Sequence, residues 1–225
     1  MSRVKICGIT SAADAELCLD AGADALGFVI EFPLPVPWTL DRGQARQLMR
    51  ALGPFATRVA IVGGTAATIL DITRAVEPDA VQLHLDEDEA TVAAVRDGLE
   101  GTGTRIVKAV RIDADAEGVL PAAHWLALAQ RFVAAGADAI LLDSKTGARP
   151  AGTGKAVDWS IAREMARGLD APLILAGGLT PENVGGAIAS VRPYAVDVIS
   201  SLEDQQHRKI PAAVRAFIAA AHAAP

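Results

Sequence analysis

The feature that most constrains the fold is a segment that recurs four times: a turn, then an alanine, then an apolar run. These segments recur at intervals of 55 to 59 residues and are marked by Ala25, Ala80, Ala139 and Ala195. One strand and its helix take about 30 residues, so each interval holds two strand–helix units. Further apolar runs lie between the marked ones, at 3–7, 57–62, 105–111 and 173–176. The sequence therefore predicts eight strands.

Helical patterns fill the gaps between these runs, at 11–21, 42–52, 66–76, 89–98, 124–135, 159–169, 180–190 and 211–222. Thr10 or Ser11 can cap the first helix, Gly22 and Gly136 lie where glycine ends a helix, and Pro181 suits a first turn. Strict alternation predicts a parallel sheet, and eight units predict a closed (β/α)8 barrel, a TIM barrel. An open doubly wound sheet is the alternative, but no Gly-x-Gly-x-x-Gly follows the first strand. No linker divides the chain, so we expect one domain over 1–225.

The charge and composition narrow the classes of partner. The net charge is −6 and no basic run is present, which argues against nucleic acid and anionic membranes as partners. No apolar run reaches the roughly 18 residues of a membrane span, and the first residues lack a signal-peptide pattern, so we expect a cytoplasmic protein. Two cysteines in a chain of this size indicate free thiols. The sequence does not specify an oligomeric state.

Polar residues inside or just after the apolar runs are the candidates for chemistry. Lys5 and Cys7 share a face of the first strand, Asp143 ends the sixth, and Asp197 interrupts the eighth. In a barrel, alternate strand residues face the interior, and strand carboxyl ends form the active-site face. A cation beside a thiol lowers its pKa, so Lys5 would make Cys7 a thiolate base or nucleophile. The alternative is a buried residue that only fills space, as we expect for Cys18.

Two other strand residues allow more than one reading. Lys108 interrupts the fifth strand, and with Lys5 and Asp197 it can form a buried network that merely neutralises itself. His84, which shares a face of the fourth strand with Gln82, can be a general base or a positioning hydrogen-bonder. The acidic run 86–89 reads as a solvated loop and the charged first turn of a helix.

One loop suggests a phosphate site, whereas metal ligation and a serine nucleophile find no support. No pair of histidines has ligand spacing, and no Gly-x-Ser-x-Gly is present. Gly177 and Gly178 end the seventh strand just before a helix. The loops after strands 7 and 8 are the usual phosphate site of such barrels, where backbone amides can meet an anion.

Several motifs together resemble the phosphoribosylanthranilate isomerase family. They are Val-Lys-Ile-Cys-Gly-Ile-Thr at 4–10, Ala-Val-Gln-Leu-His at 80–84, Leu-Leu-Asp-Ser-Lys-Thr at 141–146, Ala-Gly-Gly-Leu-Thr-Pro-Glu-Asn-Val at 176–184 and Ala-Val-Asp-Val at 195–198. The resemblance implies a TIM barrel and an Amadori rearrangement of a phosphorylated aminoaldose to an aminoketose, with no cofactor. It also implies that Asp143 is the general acid, Cys7 the general base and Asp197 a supporting residue.

The chain departs from the family pattern at both ends of the substrate. In the loop after strand 2, Trp38 stands about where the family has an arginine that grips the anthranilate carboxylate. After strand 8, Ile-Ser-Ser-Leu-Glu at 199–203 replaces Ser-Ser-Gly-Val-Glu, and the Pro-Gly-Lys-Lys-Asp that follows is missing. Ser200, Ser201 and the backbone can still hold phosphate with Gly177 and Gly178. Arg149, in the glycine-rich loop after strand 6, is a candidate for the carboxylate.

Three hypotheses about function follow from these residues. The first is an isomerase of this family that acts on a phosphoribosylated aromatic amine. The second is a paralogue that takes another phosphosugar amine, or an aldolase or lyase that uses Lys5 or Lys108 as an amine nucleophile. The third, a binding barrel without catalysis, is disfavoured because both the acid and the base are present.

Overall fold

The computed structural model describes residues 2–113, 120–145 and 157–225, and a closed ring of parallel strands forms its centre. The ring consists of β1 (Arg3–Ile6), β2 (Ala25–Ile30), β4 (Thr57–Val62), β5 (Ala80–Leu83), β6 (Arg105–Asp113), β7 (Ala139–Lys145), β8 (Leu173–Leu175) and β9 (Ala195–Val198). Because β1 pairs with both β2 and β9, the sheet closes on itself. The two-residue β3 (Thr39–Leu40) pairs with β2. The closed barrel is confirmed, and the open sheet is excluded.

Helices alternate with these strands and cover the outside of the barrel. They are α1 (Ala12–Asp20), α2 (Arg42–Ala51), α3 (Ala66–Val76), α4 (Glu89–Gly98), α5 (Ala122–Ala134), α6 (Trp159–Gly168), α7 (Val184–Val191) and α8 (Pro211–Ala223), with a short 3-10 helix at Ser200–Leu202. None of the helices in the described ranges has the length and apolar character to cross a membrane.

Both ends of α1 follow the local sequence, whereas the start of α7 differs from the expectation. Ser11 caps α1 by accepting a hydrogen bond from the Asp14 amide, and Gly22 follows the helix with a φ of 103°. Pro181, expected in the first turn of a helix, lies outside it. A turn precedes α7 because the Asn183 side chain accepts the Thr180 amide at 2.8 Å, and the helix begins only at Val184.

The strand period divides the core into two layers. One set of side chains packs against the helices, and the other set, which includes Val59, Ile61 and Leu141, fills the barrel interior. Lys5 and Asp197 are register partners in adjacent strands of the interior set. Since every strand runs in the same direction, the loops that follow the strands gather at one end of the barrel.

Candidate active site

A pocket opens at the carboxyl ends of the strands and spans about 690 Å³, a volume that includes space open to solvent. Eight of the residues singled out from the sequence line it: Cys7, Trp38, His84, Asp143, Gly177, Gly178, Asp197 and Ser200. Lys5 is buried and contacts the lining residue Asp197, and Ser201 lies just outside the lining. Arg149 lies outside the described residues. The barrel therefore brings most of the predicted site residues, which are far apart in sequence, to one place.

Cys7 stands directly after β1, where its amide donates to the Val198 carbonyl at 2.9 Å. Gly8 then turns the chain with a φ of 76°, and a Cβ there would lie within 3 Å of both Ile199 and Trp38. Burial raises the pKa of the Cys7 thiol above its ordinary value, although the Lys5 charge opposes this. The sequence-based expectation of a lowered pKa was wrong, because burial outweighs the cation.

Lys5 forms a buried ion pair with Asp197. Its ammonium donates to Asp197 Oδ1 at 2.8 Å, and both side chains are buried. Burial alone would lower the pKa of Lys5, but the charge of Asp197 and its hydrogen bond bring the net shift upward. Lys5 is therefore a protonated cation in this site and has no free amine for nucleophilic attack.

Asp143 is a buried carboxyl that titrates near neutrality. Burial, together with the charge of Asp197, raises its pKa to about 7, against the opposing hydrogen bond from the Ser144 amide and the Lys5 charge. The Ser144 amide donates to Oδ1 at 2.7 Å and fixes one oxygen. A carboxyl with this pKa carries a proton in half of the molecules at pH 7, which suits a general acid.

His84 is a neutral hydrogen-bond donor beside this carboxyl. Burial and the charges of Arg111, Lys5 and Lys108 lower its pKa to about 3, which excludes a protonated imidazole at neutral pH. The Gln82 amide donates to Nδ1 at 2.9 Å, so the ring proton lies on Nε2, which is 3.6 Å from Asp143 Oδ2. Of the two readings from the sequence, the geometry favours the positioning hydrogen-bonder.

Gln82, to which the sequence pattern assigns no role, lines the same cavity and is 1% exposed. Its amide nitrogen is used by His84, but its carbonyl oxygen is buried without a hydrogen-bond partner among the described residues. A buried polar atom without a partner is rare, so this oxygen is a candidate for a ligand hydroxyl.

The loops after β8 and β9 form a backbone turn that faces the cavity. Gly177 and Gly178 have φ values of 82° and 62°, and a Cβ on Gly177 would lie 3.1 Å from Asp143 Oδ1. Asn183 holds the turn by donating to the Gly178 carbonyl at 2.9 Å. The Ser201 hydroxyl donates to the Leu179 carbonyl at 2.6 Å and so joins the two loops, while Ser200 faces the cavity.

Trp38 is held beside Cys7 by a buried ion pair that the sequence analysis missed. The indole Nε1 donates to both carboxylate oxygens of Glu203 at 3.0 Å. Lys209 donates to Glu203 at 2.6 Å and to the Cys7 carbonyl at 2.6 Å. These partners are up to 202 residues apart in sequence, so no local pattern predicts their contacts.

Lys108 lies outside the barrel interior and away from Lys5 and Asp197. It faces the helix layer, where it donates to Glu87 at 3.0 Å and to the carbonyls of Leu85 and Ala109. It does not join Lys5 and Asp197, and Glu87 is buried and not in a solvated loop as expected for 86–89. The expected network with Lys5 and Asp197 was wrong, because the strand period points Lys108 outward towards Glu87, in the loop that follows β5. In the run 86–89 the burial of Glu87 is the departure, since Asp86 and Asp88 are exposed and Glu89 lies in the first turn of α4, as expected.

Comparison with known proteins decides the family. Residues 4–220 match the family model described as N-(5'phosphoribosyl)anthranilate (PRA) isomerase. The chain belongs to this family. A PRA isomerase of Haloferax volcanii is 39% identical over 226 residues, covering 100% of this chain and 95% of that protein, and one of Pseudomonas fluorescens is 42% identical over 223 residues, covering 96% of each.

Solved structures of PRA isomerases have the same fold as this chain. The enzyme of Thermotoga maritima superposes with a TM-score of 0.82 at 35% identity, over 99% of each chain. A phosphoribosyl anthranilate isomerase in complex with reduced 1-(o-carboxyphenylamino)-1-deoxyribulose 5-phosphate superposes with a TM-score of 0.79 at 32% identity, again over 99% of each chain.

Proposed function

We propose that this protein converts N-(5'-phosphoribosyl)anthranilate to 1-(o-carboxyphenylamino)-1-deoxyribulose 5-phosphate. Membership of the PRA isomerase family and the names of full-length relatives support this reaction. The observation that carries it is the pairing, across one cavity, of a carboxyl that titrates near pH 7 with a thiol on another strand. Such a pair can give a proton to one atom of a sugar and take a proton from another.

The first step opens the ribose ring. The Asp143 carboxyl gives its proton to the ring oxygen as the bond between that oxygen and C1 breaks. The nitrogen lone pair forms the C1=N bond, which leaves a Schiff base with a positive charge. The Nε2–H of His84 faces the new Asp143 carboxylate and steadies it.

The second step moves the double bond. The Cys7 thiolate takes the proton from C2, and the electron pair of that C–H bond forms C1=C2 while the nitrogen regains its lone pair. The resulting enolamine tautomerises to the ketone, with C1 gaining a proton and the C2 hydroxyl losing one. The Lys5 cation favours the thiolate form of Cys7 against the effect of burial.

Three further groups position the substrate in this proposal. The backbone at Gly177 and Gly178, with Ser200, holds the phosphate through amide and hydroxyl donors, as glycine-rich loops of barrels do. Asp197 keeps Lys5 charged and in place. The free carbonyl oxygen of Gln82 accepts a hydrogen bond from a ribose hydroxyl.

Decay of substrate fluorescence after mixing with freshly made phosphoribosylanthranilate tests the proposal. The wild-type protein should consume the substrate, and Cys7→Ala and Asp143→Asn should each lower kcat by about 10² to 10⁴. Cys18→Ala is the matched control, because Cys18 lies in the core between helix and strand and should leave the rate unchanged. A wild-type rate no greater than that of Cys7→Ala would refute the proposal.

The lysine-dependent alternative has little physical support. Lys5 and Lys108 each hold a carboxylate at 3.0 Å or less, and both are buried. We expect no imine adduct when borohydride is added in the presence of carbonyl substrates. The proposed partner is thus a small phosphorylated substrate. We propose that the protein is located in the cytoplasm, in keeping with a biosynthetic family.

A further inference from the structure

The cavity has two unlike sides. One side, formed by β7, β8, β9 and the loops after them, is mixed: it carries Asp143, the glycine turn and Ser200 beside apolar residues, which are Ala176, Leu179, Val198 and Ile199. The apolar side follows β2 and β4, and its side chains are Val29, Phe32, Val36, Trp38 and Ile61. In the ring of strands, β2 and β4 lie across from β7 and β8. A substrate with its phosphate at the glycine turn therefore places its amine substituent against the apolar side.

Trp38 presents a rigid carbon surface to this side. It is 6% exposed, and its ring meets the His207 ring edge-on at a centroid distance of 5.5 Å. The only polar atom of the indole donates to Glu203, and Glu203 is neutralised by Lys209. Trp38 thus lines the cavity with an aromatic ring and offers no charge to bind.

Two ammonium groups beside the cavity, among the residues that the structure describes, are already paired. Lys5 is bound to Asp197, and Lys209 is bound to Glu203 and to the Cys7 carbonyl. A carboxylate entering the apolar side would lose water and meet apolar side chains and no unpaired cation of the described residues that line it. Removing a carboxylate from water without such a partner is costly, so the described side chains of the apolar side give it no advantage over hydrogen.

We propose that the apolar side, formed by Val29, Phe32, Val36, Trp38 and Ile61, binds the aromatic ring of the amine and does not select for an ortho-carboxylate. The substrate class is then N-(5'-phosphoribosyl) arylamines with or without the acid group. This inference rests on the proposed function, since it assigns the amine end of that reaction to a subsite.

One pair of ligands and a separate turnover assay distinguish the inference from the function on which it rests. Reduced 1-(o-carboxyphenylamino)-1-deoxyribulose 5-phosphate and its phenylamino counterpart, which lacks only the carboxylate, are compared by calorimetry. We expect Kd values within tenfold of each other, and a larger preference for the carboxylated ligand, or no binding of either, overturns the inference. Turnover of phosphoribosylanthranilate is measured separately. Its absence, with both reduced ligands bound equally, refutes the isomerase while leaving the subsite assignment intact.

A matched pair of cationic variants locates the subsite. Val36→Arg places a guanidinium on the apolar side, at a partly exposed position where it can fold without burial of its charge. It should raise the preference for the carboxylated ligand at least tenfold. Leu34→Arg adds the same charge to the same loop at an exposed position outside the lining, and the preference should stay as in wild type. An unchanged preference in Val36→Arg would show that the ring does not lie against this side.

Two substitutions of Trp38 test the role of its aromatic ring. Trp38→Phe keeps an aromatic surface and removes the bond to Glu203, and both ligands should still bind with Kd values within tenfold of each other. Trp38→Ala removes the surface and should weaken both ligands by a similar factor. A Trp38→Ala variant that weakens only the carboxylated ligand would overturn the inference.

Discussion

Replacing Asp143 with asparagine should make the protein more stable and nearly inactive. An aspartate in an unfolded chain has a pKa of about 3.9, whereas burial raises that of Asp143 to about 7. A carboxyl whose pKa rises on folding destabilises the fold once the pH exceeds its unfolded pKa, and the penalty is complete above its folded pKa. Three units at about 1.4 kcal/mol each give a penalty of about 4 kcal/mol at pH 8, falling to between about 1 and 2 kcal/mol at pH 5. Asparagine carries no such charge and still accepts the Ser144 amide.

Urea unfolding of both proteins at pH 8 and pH 5 measures this difference. The free energy of unfolding of Asp143→Asn should exceed that of wild type by up to about 4 kcal/mol at pH 8, with a smaller excess at pH 5. Asp79→Asn is the control of opposite sign, because hydrogen bonds from Arg58 lower the pKa of Asp79 and its charge therefore stabilises the fold above pH 4. Equal stability of Asp143→Asn and wild type at pH 8, or the same excess at both pH values, would refute the burial argument.

Three further predictions can be tested. Two concern residues around the site, and the third concerns an ion pair that lies outside it. Gly177→Ala, at a φ of 82° and with a Cβ 3.1 Å from three atoms, should lose about 1 to 3 kcal/mol of unfolding free energy in urea; no loss would contradict the strain. In imidazole ¹⁵N spectra, wild-type His84 should remain neutral with its proton on Nε2 down to pH 5, and Gln82→Leu should mix the tautomers; an unchanged spectrum in the variant would remove the role of the amide. Glu87→Gln should cost about 3 to 5 kcal/mol in urea unfolding by leaving Lys108 buried without its counter-charge, whereas Lys108→Met in the same chain should restore most of it. If Glu87→Gln unfolds like wild type, the pair does not support the fold.

The barrel could be predicted because each strand and helix is encoded locally. The helix over Ala66–Val76 and the strand over Thr57–Val62 have the bounds that their patterns predicted. Parallel strands place their carboxyl ends together at one face of the barrel. The sequence therefore predicts that residues at the ends of different strands, such as Cys7 and Asp143, lie at that face.

What could not be predicted depends on partners that are distant in sequence and on burial. Glu87 has the sequence context of a solvated acidic loop, and its burial depends on the ion pair with Lys108 of β6. The contact between Trp38 and Glu203 spans 165 residues, and the identity of neither residue predicts its partner. The pKa of Cys7 was expected to fall because Lys5 is two residues away, but the pattern gives no measure of how completely the barrel removes the thiol from water.

The pH dependence of kcat for phosphoribosylanthranilate tests the central claim, that Asp143 is the acid and Cys7 the base, most directly. The active form needs a protonated carboxyl of pKa about 7 and a thiolate whose pKa lies above its ordinary value. Because the base then has the higher pKa, the fraction of active enzyme rises tenfold per pH unit below 7 and stays level from pH 7 to the thiol pKa. We expect kcat to be flat between about pH 7.5 and 8.5. A tenfold fall per unit above pH 7 would show a base that titrates below Asp143, and would contradict this assignment of Cys7.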